Sequence, residues 1–146
     1  MIDGNLYFTS GGGYIWETEY ENGEVHVIES YPVHDGFESM NDIFKSKSGW
    51  YYFSSTSERK IARARSVSSF SKGDFEDIGV EIGLLGTPYY LSEFGGRIYL
   101  PEITQHSGII WFEEDSQGKV VEHGKLFEFG PPNSQDIHRR RLLPSP

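Results

Sequence analysis

Cysteine is absent from the 146-residue chain. The chain can therefore form neither disulfides nor the thiolate-rich zinc sites that hold many small domains together, and any metal must be bound by oxygen or imidazole ligands. The remaining composition, with 36% hydrophobic and 15% aromatic residues, is that of a globular protein. We expect residues 1–146 to form a single domain or a part of one.

Basic residues are few. The chain has 13 Lys and Arg against 22 Asp and Glu, which gives a formal net charge of −9. A charge of this sign repels phosphate backbones and anionic membrane surfaces. We therefore expect neither nucleic acid nor a membrane as a partner.

Long apolar runs are also missing. The first ten residues, MIDGNLYFTS, lack the basic stretch and the apolar stretch of an export signal. No run approaches the roughly 20 apolar residues of a membrane helix. By default, we expect a cytoplasmic chain.

What the sequence does contain is a repeat. The segments GNLYF from Gly4, GWYYF from Gly49 and GRIYL from Gly96 share a glycine, an apolar residue, a tyrosine and a second apolar residue, at spacings of 45 and 47 residues. A further match relates IWETEYENGEV, which starts at Ile15, to IWFEEDSQGKV, which starts 95 residues later. The offset of 95 corresponds to about two repeats.

Within one period, the local pattern predicts strands. Short β-branched and aromatic runs alternate with clusters of Gly, Asn, Asp and Ser, and no apolar period of helical length occurs. Four strands, A to D, fit the second repeat at 42–47, 50–55, 60–66 and 76–82. The segments ENGE at 21–24 and SQGK at 116–119 are typical of hairpin turns. A four-stranded unit repeated every 40–50 residues predicts an all-β fold of β-propeller blades.

The repeat is incomplete at both ends. SMNDI recurs as NSQDI, which places Asp42 and Asp136 94 residues apart, but no strand B follows the second copy. The first repeat, in turn, begins with strand B. Repeats near 4–41, 42–87 and 88–135 give three blades, with 136–146 able to complete the first. Since three blades cannot close a ring, we expect either half of a six-bladed homodimer or a piece of a larger propeller.

The D–A and B–C loops lie on one rim of the predicted blades, and most of the candidate functional residues lie in these loops. We take His34, Glu102 and His106 as candidate catalytic residues, and Asn41, Asp42 and Asp136 as candidate metal ligands. For Glu102 and His106, a solvated loop carboxylate and a surface imidazole are the plainer interpretation. The basic run at 138–141 is interpreted as strand residues that pair with carboxylates.

The Asn-Asp pair before strand A has two interpretations. Strand A lines the channel of a propeller, so Asn41, Asp42 and Asp136 should point near its axis, and converging oxygens of this kind suit a hard cation such as calcium. Alternatively, the same residues cap turns by accepting hydrogen bonds from nearby backbone amides. The sequence leaves both open.

The stretch DGNLYFTSGGG, followed by NGEVHVIESYPVHDGFESMNDIFKSKSGWYYFSS, resembles six-bladed propellers of the gluconolactonase, regucalcin and paraoxonase type over about two blades. In that family an Asn-Asp pair at the start of an inner strand faces a calcium or another divalent ion. The resemblance implies that Asn41, and in second place Asp42, bind a metal that polarises a lactone or ester carbonyl. GRIYLPEITQHSGIIWF is also similar to a unit of NHL-type binding propellers.

Two positions depart from the lactonase pattern. Only Asp136 stands where the first blade should supply an acidic axial ligand, and Thr87-Pro88-Tyr89 occupies the equivalent place in the middle repeat. SGWYYFSSTSERKIARARS and GTPYYLSEFGGRIYLPEI resemble five-bladed furanosidase-type propellers, in which a Glu precedes the proline where this chain has Gly86-Thr87.

Two functions stay open at this point. One is a metal-dependent hydrolase, with calcium as its cofactor, that acts on a small ester or lactone. The other is a non-catalytic propeller module that binds a glycan or a protein. A fold alone does not decide between them.

Overall fold

The computed structural model describes Ile2 and residues 4–10, 13–103 and 107–129. These residues form an all-β fold with three sheets that follow one another along the chain, together with one short helix. Within this part of the chain, no helix is long and apolar enough to cross a membrane.

The first sheet has three antiparallel strands in sequence order. They are β1 (Asn5–Ser10), β2 (Tyr14–Glu21) and β3 (Glu24–Pro32). The predicted ENGE hairpin joins β2 to β3, and its central residues Asn22 and Gly23 have φ angles of 53° and 81°. These left-handed values are those of a two-residue hairpin turn, so the turn prediction is confirmed.

The second sheet has four strands, again in sequence order. They are β4 (Met40–Lys45), β5 (Tyr51–Ser55), β6 (Lys60–Ala64) and, after the helix α1 (Val67–Ser71), β7 (Glu76–Asp77). The strand predicted over 76–82 is shorter than expected because the chain turns directly after Asp77. The helix was not predicted, since five residues are too few to display an apolar period.

The third sheet repeats this strand order. Its strands are β8 (Thr87–Pro88), β9 (Ser92–Phe94), β10 (Arg97–Ile103), β11 (Ser107–Glu114) and β12 (Val120–Phe129). The hydrogen-bonded order is β12-β11-β10-β8, and β9 also pairs with β10. The predicted SQGK turn links β11 to β12 with Gly118 at a φ of 84°, which confirms it.

The second sheet packs between the other two. The cluster toward the third sheet contains Tyr52, Ile61, Ile78, Ile82, Leu91, Ile98, Leu100, Ile110, Phe112 and Val120. The cluster toward the first sheet contains Ile15, Phe37, Phe53, Ala62, Ala64, Val67 and Phe70. Ile61 and Ala62 thus face opposite ways, as the alternating pattern of ERKIARARS predicts. The helix α1 contributes Phe70, whose ring stacks on Phe53 at 4.0 Å between centroids.

A tryptophan joins the second sheet to the β11–β12 hairpin. The indole Nε1 of Trp50 donates to the carbonyl of Gln117 at 3.1 Å. Arg63 lies over the Trp50 ring, pairs with Glu76 and donates to the Gly118 carbonyl. A Cβ on Gly118 would overlap the Trp50 indole, so only glycine fits there.

This contact gives a test with a built-in control. Gly23 and Gly118 are equivalent in the repeat and have similar positive φ angles, but nothing lies within 4 Å of a Cβ at Gly23. We expect Gly118→Ala to lower the free energy of unfolding by about 1–3 kcal/mol more than Gly23→Ala, because only the former overpacks a neighbour. Urea denaturation of both variants measures the difference. Equal losses would show that the hairpin does not dock on Trp50.

Candidate functional site

The Asn-Asp pair lies at a β-bulge at the start of β4. Met40 is opposite Ser55 and Asp42 is opposite Ser54, so Asn41 is the extra residue between them. A bulge turns side chains away from the regular alternation of a strand. Asp42 shares the face of Phe44, which packs toward the third sheet. The pair is therefore placed at the junction of the second and third sheets.

Asp42 connects the two sheets directly. Its Oδ2 accepts a hydrogen bond from the backbone N–H of Leu91 at 2.9 Å. Burial raises the pKa of the Asp42 carboxyl, and the Leu91 and Ile43 amides oppose that rise because they favour the charged form. Leu91 is 49 residues away along the chain, so this contact joins two sheets and is not the local turn cap that was one of the two interpretations of Asp42. Metal binding by Asp42 stays a prediction.

Two polar atoms beside Asp42 are left unpaired. The Nδ2 of Asn41 and the Oγ of Ser54 are both buried, and neither has a hydrogen-bond partner among the described residues. A buried polar group without a partner costs about 1–3 kcal/mol, so native proteins keep few of them. Asn41 and Asp42 are each partly exposed as whole residues. We call Asn41, Asp42 and Ser54 the Asp42 site.

Glu102 is buried rather than solvated. It lies on β10, although the sequence suggested a loop there, and only 1% of it is exposed. Its Oε2 accepts hydrogen bonds from the backbone N–H groups of Leu85 and Gly86, both at 2.9 Å. The carboxylate therefore fixes the segment that leads into β8.

A second carboxylate, that of Glu58, also holds a loop by accepting hydrogen bonds, one repeat earlier. The Oε1 of Glu58 accepts from the N–H of Ser39 at 3.1 Å, and its Oε2 accepts from the hydroxyl of Ser55 at 3.0 Å. Ser55 and Glu102 are 47 residues apart and so hold equivalent positions in the repeat. In both sheets, a glutamate fixes the loop that enters the first strand.

His34 packs in a separate place. Its Nδ1 donates to the carbonyl of Asp35 at 3.0 Å, and its ring stands edge-on to Phe75 at 5.0 Å between centroids. His34, Asp42 and Glu102 thus belong to three different sets of contacts. Among the residues that the structure describes, no group of three or more His, Asp and Glu side chains is placed to bind a metal. His106 and Asp136 lie outside those residues.

Sequence reasoning missed a carboxylate between the first and second sheets. Glu17 accepts from the Nδ2 of Asn5 at 2.7 Å and from the hydroxyl of Tyr31 at 2.9 Å. Burial, and then the hydrogen bond to Glu17, raise the pKa of Tyr31 to about 12. Burial, and then the negative charge of Glu17, raise the pKa of Tyr7. The signal was available, because Glu17 follows the buried Ile15 by two residues on a strand and so points inward.

No protein-family model matches the chain, and no curated protein matches it. Its function has to be inferred from its own residues.

The buried carboxyl of Asp42 makes a prediction about pH. Its raised pKa means that the folded state holds this proton more tightly than the unfolded chain does. The wild type therefore loses stability as the pH rises above the ordinary aspartate value of about 4 and through the raised value. Asp42→Asn keeps an acceptor for Leu91 and does not titrate, so its free energy of unfolding relative to wild type should increase from pH 4 to 7.

Urea denaturation at several pH values measures this difference. Asp35→Asn, at an exposed position on the same rim, is the matched control. A wild-type to Asp42→Asn difference that does not change with pH would contradict the burial of this carboxyl.

Glu102 makes a second prediction. Glu102→Ala leaves two backbone N–H groups unpaired and should lower the free energy of unfolding by about 2–4 kcal/mol. Glu102→Gln keeps an oxygen acceptor and should cost less. Glu81→Ala, at an exposed position, serves as the control. If Glu102→Ala were as stable as Glu81→Ala, the carboxylate would not hold the segment at Leu85 and Gly86.

Proposed function

We propose that the chain is a non-catalytic binding module of β-propeller architecture and that it holds a glycan at the Asp42 site. The observation that carries the proposal is the amide nitrogen of Asn41, which has no partner in the described part of the chain and belongs to the residue directly before Asp42 on β4. A donor next to an acceptor suits a hydroxyl group, which accepts one hydrogen bond and donates another. Glycans present several such groups.

The propeller architecture is supported by the order and packing of the strands. The second and third sheets each pair their strands in chain order, apart from the added β9, and the second sheet is covered on both faces by its neighbours. Face-to-face packing of consecutive four-stranded sheets is how propeller blades are arranged.

Aromatic residues next to the site support a sugar ligand. Leu91, which binds Asp42, directly follows Tyr89 and Tyr90, whose ring centroids are 6.5 Å apart. The Tyr90 side chain is exposed. Aromatic side chains offer an apolar surface with a polar tip, which suits a ligand that has both kinds of surface.

The positions of the candidate catalytic residues favour binding over turnover. Glycoside hydrolysis requires two carboxylates on either side of the scissile bond. Glu102 is buried and engaged by two backbone amides, and His34 packs on Phe75. These contacts give Glu102 and His34 structural roles.

The second candidate function is the calcium-dependent lactonase-type hydrolase. It is favoured by the location of Asn41 and Asp42 at the start of an inner strand, where the resembling enzymes hold their metal. The side-chain oxygens of these two residues would bind the ion, together with Asp136. The metal would polarise the carbonyl of the substrate.

A titration separates the two functions. Calorimetry with a panel of neutral mono- and disaccharides should detect binding to the wild type, and Asn41→Ala should weaken it about tenfold, because one hydrogen bond of about 1.4 kcal/mol is lost. Ser57→Ala, on an exposed loop of the same rim, should bind as the wild type does.

Calcium is the second arm of this experiment. A ligand that binds only the folded state raises the melting temperature. A rise with calcium that Asp42→Asn abolishes, with no saccharide binding, would overturn the glycan proposal in favour of the hydrolase. Metal-dependent turnover of a lactone or an aryl ester would overturn the non-catalytic role.

A further inference from the structure

Only one face of the first sheet is covered by another sheet. Tyr7 and Tyr31 pack toward the second sheet around the buried Ile15, so the alternate residues of the same strands point away. The outward residues Phe8, Tyr14, Trp16, Tyr20, Val25 and Val27 form what we call the first outer face. Tyr20 is 63% exposed and Val27 is 62% exposed. Contiguous aromatic surfaces of this extent are rare on monomers.

The third sheet also has an uncovered face, on the side away from the second sheet. Tyr99 is opposite Trp111, and Arg97 lies over the Trp111 ring at 3.7 Å from its centroid. A Cβ on Gly124 would come within 2.8 Å of the indole, so glycine lets the ring lie across β12. Arg97, Tyr99, Ile103, Ile109 and Trp111 form the third outer face.

The first sheet also has a free edge. In the described part of the chain, β1 pairs with β2 on one side, and on the other side only its first residue, Asn5, is paired, with Ile2. The second and third sheets have β4 and β8 at the equivalent place. The first sheet therefore has room for one more strand beside β1. The exposed backbone groups of such an edge are a template for strand addition.

The sequence identifies a segment that matches this edge. Asp136 follows Asp42 by 94 residues, and Thr9 precedes Ser54 by 45. Because Asp42 is opposite Ser54 in the second sheet, the same register would place Asp136 opposite Thr9 and Ile137 opposite Phe8. Ile137 would then extend the first outer face.

The segment and the first sheet carry opposite net charges. Residues 4–32, which contain the whole first sheet, include five glutamates and neither lysine nor arginine. Residues 136–142 include Arg139, Arg140 and Arg141 against one acidic residue. The glutamates lie on β2 and β3 and not on β1, so the attraction acts between the segment and the sheet as a whole and does not set the register.

Distance favours a second copy over the same chain. Seven Cα-to-Cα steps lead from the end of β12 at Phe129 to Asp136, and they span about 25 Å at most. In the same chain, the place beside β1 lies two sheet spacings, roughly 20 Å, from the third sheet and three strand spacings, roughly 14 Å, across it, which makes about 24 Å in a straight line through the second sheet. A first sheet packed directly on the third outer face lowers the sheet spacing to about 10 Å and the straight line to about 17 Å, which the segment spans without full extension.

We propose that two copies of the chain form a twofold dimer. In it, the first outer face of each copy packs on the third outer face of the other, and residues 136–142 of each complete the other's first sheet beside β1. Each outer face covers about 400 Å², from three strands of roughly eight residues. Two faces per copy give about 800 Å², the area that each partner contributes to a standard stable interface.

Engineered cysteines test the exchanged strand, since the chain has none of its own. Thr9→Cys and Asp136→Cys are made as separate variants, mixed, refolded together and oxidised. Opposite residues on antiparallel strands are close enough for a disulfide, so a cross-linked dimer is expected on a non-reducing gel. Ser57→Cys mixed with Asp136→Cys should give none. A double variant that cross-links as a monomer would overturn the exchange.

Light scattering after size exclusion tests whether the outer faces of two copies pack on each other. The wild type should be a dimer at about 10 μM, and Tyr20→Lys combined with Val27→Lys should be a folded monomer by circular dichroism. Val80→Lys, at a position 96% exposed and outside both outer faces, should remain a dimer. A monodisperse wild-type monomer would overturn the proposal. Aggregation without a defined dimer would also overturn it. That result would indicate that further blades of a longer protein pack on the two outer faces.

Discussion

Face-to-face packing of sheets is the interaction on which the rest of this structure depends. Strands carry apolar side chains on both of their faces here, so each sheet needs a neighbour on either side. The second sheet has both: Tyr52 and Ile61 are buried on one side, and Phe53 and Ala62 on the other. As a result, four of the five residues of β5 are buried. This burial pattern is typical of a strand with neither face exposed to solvent.

Packing of this kind traps polar groups between sheets, and each then needs a partner. Glu17 is paired with Asn5 and Tyr31, and Arg63 with Glu76. Such pairs fix how one sheet is placed on the next. Three buried polar atoms have no partner in the described part of the chain: the Tyr52 hydroxyl and two atoms of the Asp42 site, the Nδ2 of Asn41 and the Oγ of Ser54.

The strands, the two hairpins and the alternation along β6 could be predicted because they depend on local patterns of period two. Three features could not. The bulge at Asn41 is visible only in the pairing register, and α1 is too short for a period. The burial of Glu102 depends on backbone amides 16 and 17 residues earlier in the chain. The catalytic role of His34 and the metal-binding role of Asn41 and Asp42 stay predictions, and His106 and Asp136 lie outside the described residues.

The absence of lysine and arginine from the first sheet has a practical consequence. The first lysine or arginine of the chain is Lys45, at the end of β4. A protease that cuts after basic residues therefore releases the whole first sheet as one large acidic peptide, and amine-reactive reagents have no side chain to label in it. Surface mapping with lysine reagents would therefore report on the second and third sheets alone. The aromatic face of the first sheet is open instead to reagents that modify carboxylates, tyrosine or tryptophan.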